Sequence, residues 1–407
     1  MNTEKIIVIG GGAAGFFAAV NIACQHPELE VVLLEKSNKL LSKVSVSGGG
    51  RCNVTHACFD NSILVKHYPR GEKELRNVFS RFTTTDTINW FKQRGVELKT
   101  EEDGRMFPVS NTSETIVQCL LKEAEKYNVN IKLGVDIIGI EKNDDNTFTL
   151  HANGGGRFDC NKLVIATGGN AKETAYQWLE KLGHTTIKPV PSLFTFNIPN
   201  NPVTELMGVS VTQAKVKIAG TKLETEGPLL ITHWGLSGPA ILKASAWGAR
   251  QLSEMNYQFS ALVNWLPKHT DEKLRIEFNN QREENASKTI VSNGPFELPK
   301  RLWEFLCHKA NIPETMRWAD LPKKNANVLV NHLLNDEYKV QGKTTFKEEF
   351  VTCGGIALKE IDLSKMESKL IPGLFFAGEV IDVDGITGGF NFQNAWSTAW
   401  VVSQNIA

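Results

Sequence analysis

The feature that most constrains the fold is the N-terminal run Lys5-Ile6-Ile7-Val8-Ile9-Gly10-Gly11-Gly12-Ala13-Ala14-Gly15, answered by Val31-Val32-Leu33-Leu34-Glu35. It spells strand, tight glycine turn, helix, second strand and terminal acid, the pattern of a dinucleotide-binding βαβ unit. Gly10 permits the sharp turn off the strand. Gly12 lets backbone N–H groups approach a pyrophosphate, and Gly15 allows the helix to pack close on the strand. The phosphates are then expected on a helix N-terminus, beside Ala13 and Ala14. Glu35 lies about 20 residues beyond the last glycine, where a carboxylate accepts ribose hydroxyls and disfavours a 2′-phosphate. The stretch from Ile6 to Ala23 has the outline of a leader. Three consecutive glycines and Asn21 interrupt it, and the strand ending in Glu35 has no place in one, so a nucleotide fold is expected instead.

At 407 residues the chain exceeds one comfortable core, and two or three domains are expected. Lys+Arg 45 against Asp+Glu 45 leaves a formal net charge of +0, with no long basic stretch, so direct nucleic-acid binding is not expected and the partner is a small-molecule substrate. No uninterrupted apolar segment reaches the roughly 18 residues of a bilayer span, which predicts a cytoplasmic protein without membrane attachment. The seven cysteines are scattered, odd in number and never spaced C-x-x-C, and the histidines lack metal-ligand spacing. Reduced thiols and no metal are expected. Nothing in the sequence signals an oligomeric state.

Further along, Ser47-Gly48-Gly49-Gly50-Arg51-Cys52-Asn53 forms a glycine-rich loop, followed by helical segments near Glu72 to Arg81 and Thr85 to Arg94. Asn111 and Glu114 read as a capping box ahead of an amphipathic helix. Strands are predicted at Ile131 to Leu133, Ile137 to Glu141 and Thr147 to His151. The apolar strand Leu163 to Ala166 runs into Thr167-Gly168-Gly169, at the carboxyl edge of a buried parallel sheet where ligands bind. The texture changes at Ser192, with alternating segments such as Gln213 to Ile218, and helices predicted at Asp271 to Arg282 and Lys300 to Ala310. Nucleotide-fold texture returns with the strand Leu374 to Ala377, then Gly378-Glu379, and Gly388-Gly389-Phe390-Asn391 opening a last helix.

No second GxGxxG is present, so a separate nicotinamide domain is not expected. The fingerprint alone could hold NAD or FAD. Its pairing with the distal strand-Gly-Glu-loop-Gly-Gly-helix element decides for FAD. A long flavin needs a second acid for its ribityl-phosphate region. It also needs a helix N-terminus under the isoalloxazine, whose dipole stabilises charge developing on reduction.

The chain resembles the BaiN/RdsA-like NAD(P)/FAD-dependent oxidoreductase family, flavoproteins within the glutathione-reductase-like FAD fold. The resemblance rests on Ser47 to Thr55, Gly104-Arg105-Met106-Phe107-Pro108, Thr232-His233-Trp234-Gly235-Leu236-Ser237-Gly238-Pro239, Ala377 to Gly385 and Thr387 to Asn391. It implies an α/β fold with a discontinuous Rossmann-like FAD-binding domain (1–191 and 342–407), an inserted β-barrel-like domain (192–265 and 323–341) and a small helical domain (266–322). Ser47, Gly49, Gly50, Arg51 and Asn53 would then line the flavin, Val135 would meet adenine through its backbone, Thr167 and Gly168 would flank the pyrophosphate, and Glu379 would sit near the ribityl chain. Lys36, Lys43, Cys52, Gly169, Gly378, Asp384, Gly388, Gly389, Phe390 and Asn391 complete the set expected around a non-covalent FAD. Family members usually carry Tyr at the position of Phe390 and Asn at that of His56.

The expected activity is hydride exchange between flavin N5 and a small organic substrate, as enone reduction or amine oxidation, with NAD(P)H as a transient electron donor. His233 is a candidate proton donor or a buried structural histidine, and Arg105 a candidate for a substrate carboxylate or carbonyl, or for a flavin phosphate. The alternative is a flavoprotein whose FAD is chiefly structural, acting in rRNA maturation or binding a protein partner. A flavin dithiol mechanism through Cys52 and Cys58 is less favoured. Five intervening residues put the two on different helix faces, and no C-terminal His-Glu pair is visible to activate a thiolate.

Overall fold

The computed structural model describes residues 4–344 and 351–407. The chain divides into two units, Met1–Ser192 with Phe346–Ala407, and Leu193–Thr345. In the first, β1 (Lys5–Ile9), α1 (Ala13–Gln25) and β2 (Glu30–Glu35) form the expected βαβ element. Four consecutive apolar residues bury β1 on both faces, so it lies inside the sheet. It pairs in parallel with Lys162–Ile165 on one side and β2 on the other. Leu374–Phe376 and Asn130–Leu133 extend the parallel array outward, and Ile361–Asp362 and Glu367–Ser368 finish one edge antiparallel, making seven strands. Strands from both ends of the chain thus share one sheet.

The C-terminal helix Phe390–Ser403 packs against α1. Phe17 on α1 meets Trp396 at 5.2 Å and Trp90 at 4.6 Å between ring centroids. Asn21, the polar residue that interrupts the apolar run, is buried but satisfied. It donates to Phe17 O and accepts from Trp90 Nε1 at 2.9 Å, so it orders the α1 interface at little desolvation cost. One expectation fails locally. The helix Glu114–Lys126 is not capped by Asn111, which sits at φ +56 as the turn residue whose N–H closes on Pro108 O. Its N-cap is Ser113, whose hydroxyl donates to Ser45 O at 2.7 Å. A capping box falls instead at Thr83 and Asp86, opening the helix Thr84–Lys92.

The second unit is built on a seven-stranded antiparallel sheet in the order 336–341, 258–264, 210–218, 224–232, 235–237, 195–197, 343–344. The helices Asp271–Glu284, Lys300–Lys309 and Lys323–Leu334 share one apolar cluster with it, in which Leu274, Trp303, Leu306 and Leu329 join Val216, Val263 and Tyr338. Among the described residues no helix is long and apolar enough to cross a membrane, and no cluster of His, Cys, Asp and Glu could hold a metal.

Candidate cofactor and active site

Of the candidate site residues, all but His233 lie in the first unit, where Gly10, Glu35, Thr167 and Gly378 stand at or just after the carboxyl ends of its parallel strands. Two fingerprint glycines serve the chain's own packing. A Cβ on Gly10 would stand 2.3 Å from Ala166 O, and one on Gly15 only 1.8 Å from Gly10 O. Gly12 is different. Its φ of −93° suits any residue, and a Cβ there would meet no protein atom within 4 Å. Neither strain nor packing of the chain requires glycine at that point, whereas a closely lying ligand would. Gly12 also begins α1 without a side-chain cap, leaving the N–H groups of the first turn for an anion.

Glu35, half-buried at the end of β2, accepts from Gly11 N at 2.7 Å and Ser37 N at 2.8 Å. A carboxylate offers about four lone-pair sites, so two remain for ribose hydroxyls. Val135 is tied to the same strand end, its N–H donating to Glu35 O at 3.0 Å. Lys36 is exposed. Lys43, also exposed, reaches Glu379 at 2.9 Å across 336 residues of chain. The other Glu379 oxygen accepts from Thr352 N at 2.7 Å, and a Cβ on Gly169 would lie 2.7 Å from that same oxygen. Gly378 packs on α1, where its Cβ would fall 2.7 Å from Ala14 Cβ. N-terminal, central and C-terminal motifs therefore converge.

The Ser47 loop is helical until Ser47 turns extended, after which Gly48, Gly49 and Gly50 take φ of +58°, +69° and +82°. Gly49, Gly50 and Gly168 face open space. Ser47 closes the preceding turn through Val44 O, and Thr167 is exposed. Asn53, oriented by its neighbours, donates to Thr55 O and accepts from Gly389 N at 3.0 Å. Gly389 caps the C-terminal helix in the left-handed region, and its Cβ would lie 2.6 Å from the Thr55 backbone. Asn391 holds Gly385 through both carboxamide atoms, at 2.8 and 2.9 Å. The helix starts without a side-chain cap, so its first-turn N–H groups form a second free dipole end.

Other expected residues are engaged by the protein itself. The Asp384 carboxylate is fully buried, paired with Arg70 and accepting from Ser192 Oγ at 2.8 Å; burial raises its pKa against the pull of Arg70. Arg51 lies 3.9 Å over the Phe107 ring and donates to Glu101 at 2.5 Å. Arg105 donates to Asp103 at 2.7 Å and keeps partial exposure. Cys52 is buried and its thiol is pushed up to about 12, which removes the thiolate a dithiol mechanism needs. His233 lies in the second unit, exposed in the turn between the strands Glu224–Thr232 and Gly235–Ser237, its ring 4.5 Å from Trp234. Arg70, Ser192 and the ring of His56 on Phe390 escaped sequence reasoning, because each partner is set by tertiary contact alone.

A bare Gly12, two uncapped helix ends and two acids, Glu35 and Glu379, in one unit fit a bent dinucleotide, and the fold and site define an FAD-dependent oxidoreductase. Residues 4–405 match the family model described as HI0933-like protein Rossmann domain, and the chain belongs to this family. It is 33% identical to a ribosomal RNA dihydrouridine synthase of Escherichia coli, covering 100% of this chain and 98% of the relative. It is 26% identical to a 3-dehydro-bile acid delta(4,6)-reductase of Clostridium scindens, covering 99% of each. Among solved structures, a 3-ketosteroid delta1-dehydrogenase of Sterolibacterium denitrificans shares the fold with a TM-score of 0.53 at 11% identity, over 100% of this chain and 99% of that one.

Proposed function

We propose that this protein reduces a carbon–carbon double bond conjugated to a carbonyl, with NADH or NADPH as the reductant of its FAD, and that its substrate is a uracil ring in ribosomal RNA. The observation that carries the reading is similarity from end to end. Two relatives named as ribosomal RNA dihydrouridine synthases are 33% and 30% identical, with 98% of each covered. The bile-acid reductase name describes the same bond change in a different ring. Neither name describes amine oxidation, so of the two hydride chemistries the reduction is retained. Even overall charge opposes general nucleic-acid binding, but a base-modifying enzyme needs to seat one extruded base rather than coat a phosphate backbone.

FAD, when bound and reduced, would supply the hydride. The chain's own part is placement and charge. Gly12 and the first turn of α1 would hold the pyrophosphate, Glu35 the adenosine ribose, and Glu379, fixed by Lys43 and Thr352, the ribityl region. The first-turn N–H groups of the C-terminal helix would stabilise negative charge at the pyrimidine edge, by roughly 0.3–1 kcal/mol for an exposed helix end. Arg105 is the candidate for the substrate carbonyl. His233 remains the candidate proton donor, tested by the turnover and pH profile of His233→Ala at unchanged FAD content.

The test is complementation of Escherichia coli cells lacking their own ribosomal RNA dihydrouridine synthase, read by mass spectrometry of rRNA nucleosides. Restored dihydrouridine is expected. Unmodified rRNA in cells that accumulate the yellow, FAD-loaded protein refutes the RNA substrate. Reduction of a 3-oxo-Δ4 steroid by that same preparation would then favour a free cyclic enone.

A further inference from the structure

The second unit buries Trp265, Trp303 and Trp318, but leaves Trp234 48% exposed. This residue stands with His233 in the two-residue turn that joins the paired residues Thr232 and Gly235. The turn is braced by its own backbone and by a neighbouring strand. Trp234 N donates to Thr232 Oγ1 at 3.3 Å, the Thr232 hydroxyl donates to Gly235 O at 3.2 Å, and Trp234 O accepts from Ile198 N at 2.8 Å. Gly235 lies so close to the next strand that a Cβ would stand 2.3 Å from Phe196 O. Two rings are thus carried on a fixed backbone, and about half of the indole stays in water, forgoing the burial that stabilises its counterparts in the core.

Gly208 N donates to Ile231 O and Ile231 N donates to Val209 O, both at 2.9 Å, which sets exposed Met207 beside the strand that carries exposed Leu230 into the turn. Arg301, exposed at the start of the helix Lys300–Lys309, donates to Glu205 O at 2.7 Å, two residues before Met207. From Leu193 to Thr204 and from Gly227 to Ser253 the chain carries no Asp or Glu. Balanced charge over the whole chain opposes general nucleic-acid binding, but these runs bring no carboxylate to repel a phosphate backbone, and Arg301 adds a cation. Association with a second copy is less well served. Three apolar side chains that are each only partly exposed fall well short of the about 800 Å² that each partner of a stable dimer buries.

We propose that the His233–Trp234 turn holds the RNA strand, the indole of Trp234 stacking on an unpaired base next to the uracil that is reduced. The proposal rests on the RNA reading above and adds a substrate-binding residue beside the candidate proton donor. A base drawn out of its helix loses the ring contacts of its neighbours, and an aromatic face replaces them whatever the base. A rigid turn makes that replacement without first having to order a loop. Sequence choice is then left to the pocket that seats the uracil itself.

The test is binding of a fluorescein-labelled single-stranded oligouridylate to the FAD-loaded protein, followed by anisotropy. Trp234→Ala is expected to weaken binding about 5- to 150-fold, the effect of losing one stacked base, and Trp234→Phe to regain most of it. Trp247→Ala removes the other exposed tryptophan of this unit, 45% exposed at the end of the helix Pro239–Trp247, and is expected to bind as the wild type does. Equal affinity of wild type and Trp234→Ala overturns the proposal and leaves the RNA reading standing. Wild-type protein that binds no oligouridylate also overturns it, and if that protein restores no dihydrouridine in cells the RNA reading falls as well. A dimer seen in sedimentation and lost in Trp234→Ala, with RNA binding unchanged, assigns the surface to a second copy and overturns the proposal. Should Trp234→Ala fail to fold, photocrosslinking of the wild type to an oligomer carrying 5-iodouridine decides. Adducts are expected on the tryptic peptide from Leu223 to Lys243, which contains Trp234, and adducts confined to the first unit overturn the proposal.

Discussion

Arg70→Met is expected to destabilise the first unit severely and in a pH-dependent way. Asp384 has no exposed surface, and its carboxylate is held by Arg70, whose Nε lies 2.6 Å from Oδ1, and by Ser192. Removing the guanidinium leaves a buried anion with one hydroxyl donor, a loss on the order of 3–5 kcal/mol. For a unit of this size that is about 6–10 °C, at about 2 °C per kcal/mol. The assay is release of flavin fluorescence on heating, which reports on the unit that holds the cofactor residues. The sign of the pH effect follows from burial, which already raises the Asp384 pKa and meets less opposition once Arg70 is gone. A carboxyl raised above its unfolded value takes up its proton more readily when folded, so stability falls as pH rises from the unfolded value through the folded one. The deficit of Arg70→Met should therefore be largest above the folded pKa and shrink on acidification. Arg70→Met with Asp384→Asn should regain most of the loss. A shift under 1 °C, or a double variant no better than the single one, would refute this account of the pair.

Gly12→Ala should leave the apo fold intact yet weaken FAD retention on dilution, whereas Gly15→Ala should fail to fold, because their Cβ atoms meet open space and a carbonyl at 1.8 Å respectively. Equal retention by Gly12→Ala and wild type would remove the pyrophosphate from α1. In the second unit, buried Asp336 accepts from His332 at 2.9 Å and Lys309 at 2.5 Å, and also from Tyr338. Burial acts to raise its pKa, but these donors outweigh it and hold the carboxyl below its usual value. That stabilisation is present above the unfolded pKa and is lost as pH falls through the folded one. Asp336→Asn should cost about 3–5 kcal/mol at neutral pH in urea titrations followed by intrinsic tryptophan fluorescence, with the gap closing in acid. Native alkylation at pH 8 should spare Cys52, whose thiol is pushed up to about 12, while partly accessible Cys24 reacts. Rapid labelling of Cys52 in peptide maps would reopen the dithiol chemistry.

The sequence by itself determined the βαβ element, because each of its requirements is local. A buried strand needs a short apolar run, the turn needs glycine, and the ribose acid stands at a fixed distance from them. The same holds for the glycine loop at Ser47 and the motif ending in Asn391, whose unusual backbone conformations can be read from glycine positions. Helix caps were less legible. Asn111 and Thr83 both suit a cap, and only the turn after Pro108 decides that Asn111 is spent elsewhere. What the tertiary structure decided is which side chains face each other across hundreds of residues. Lys43 meets Glu379, Arg70 meets Asp384, and His56 is locked to Gly388 through a sheet and a helix packed from opposite ends of the chain. Asp384 in sequence is one more acid near a glycine motif, and in the fold it is a buried anion committed to arginine. Local patterns encode backbone geometry, but pairing of buried charges and rings depends on desolvation and packing, which exist only once the sheet is assembled.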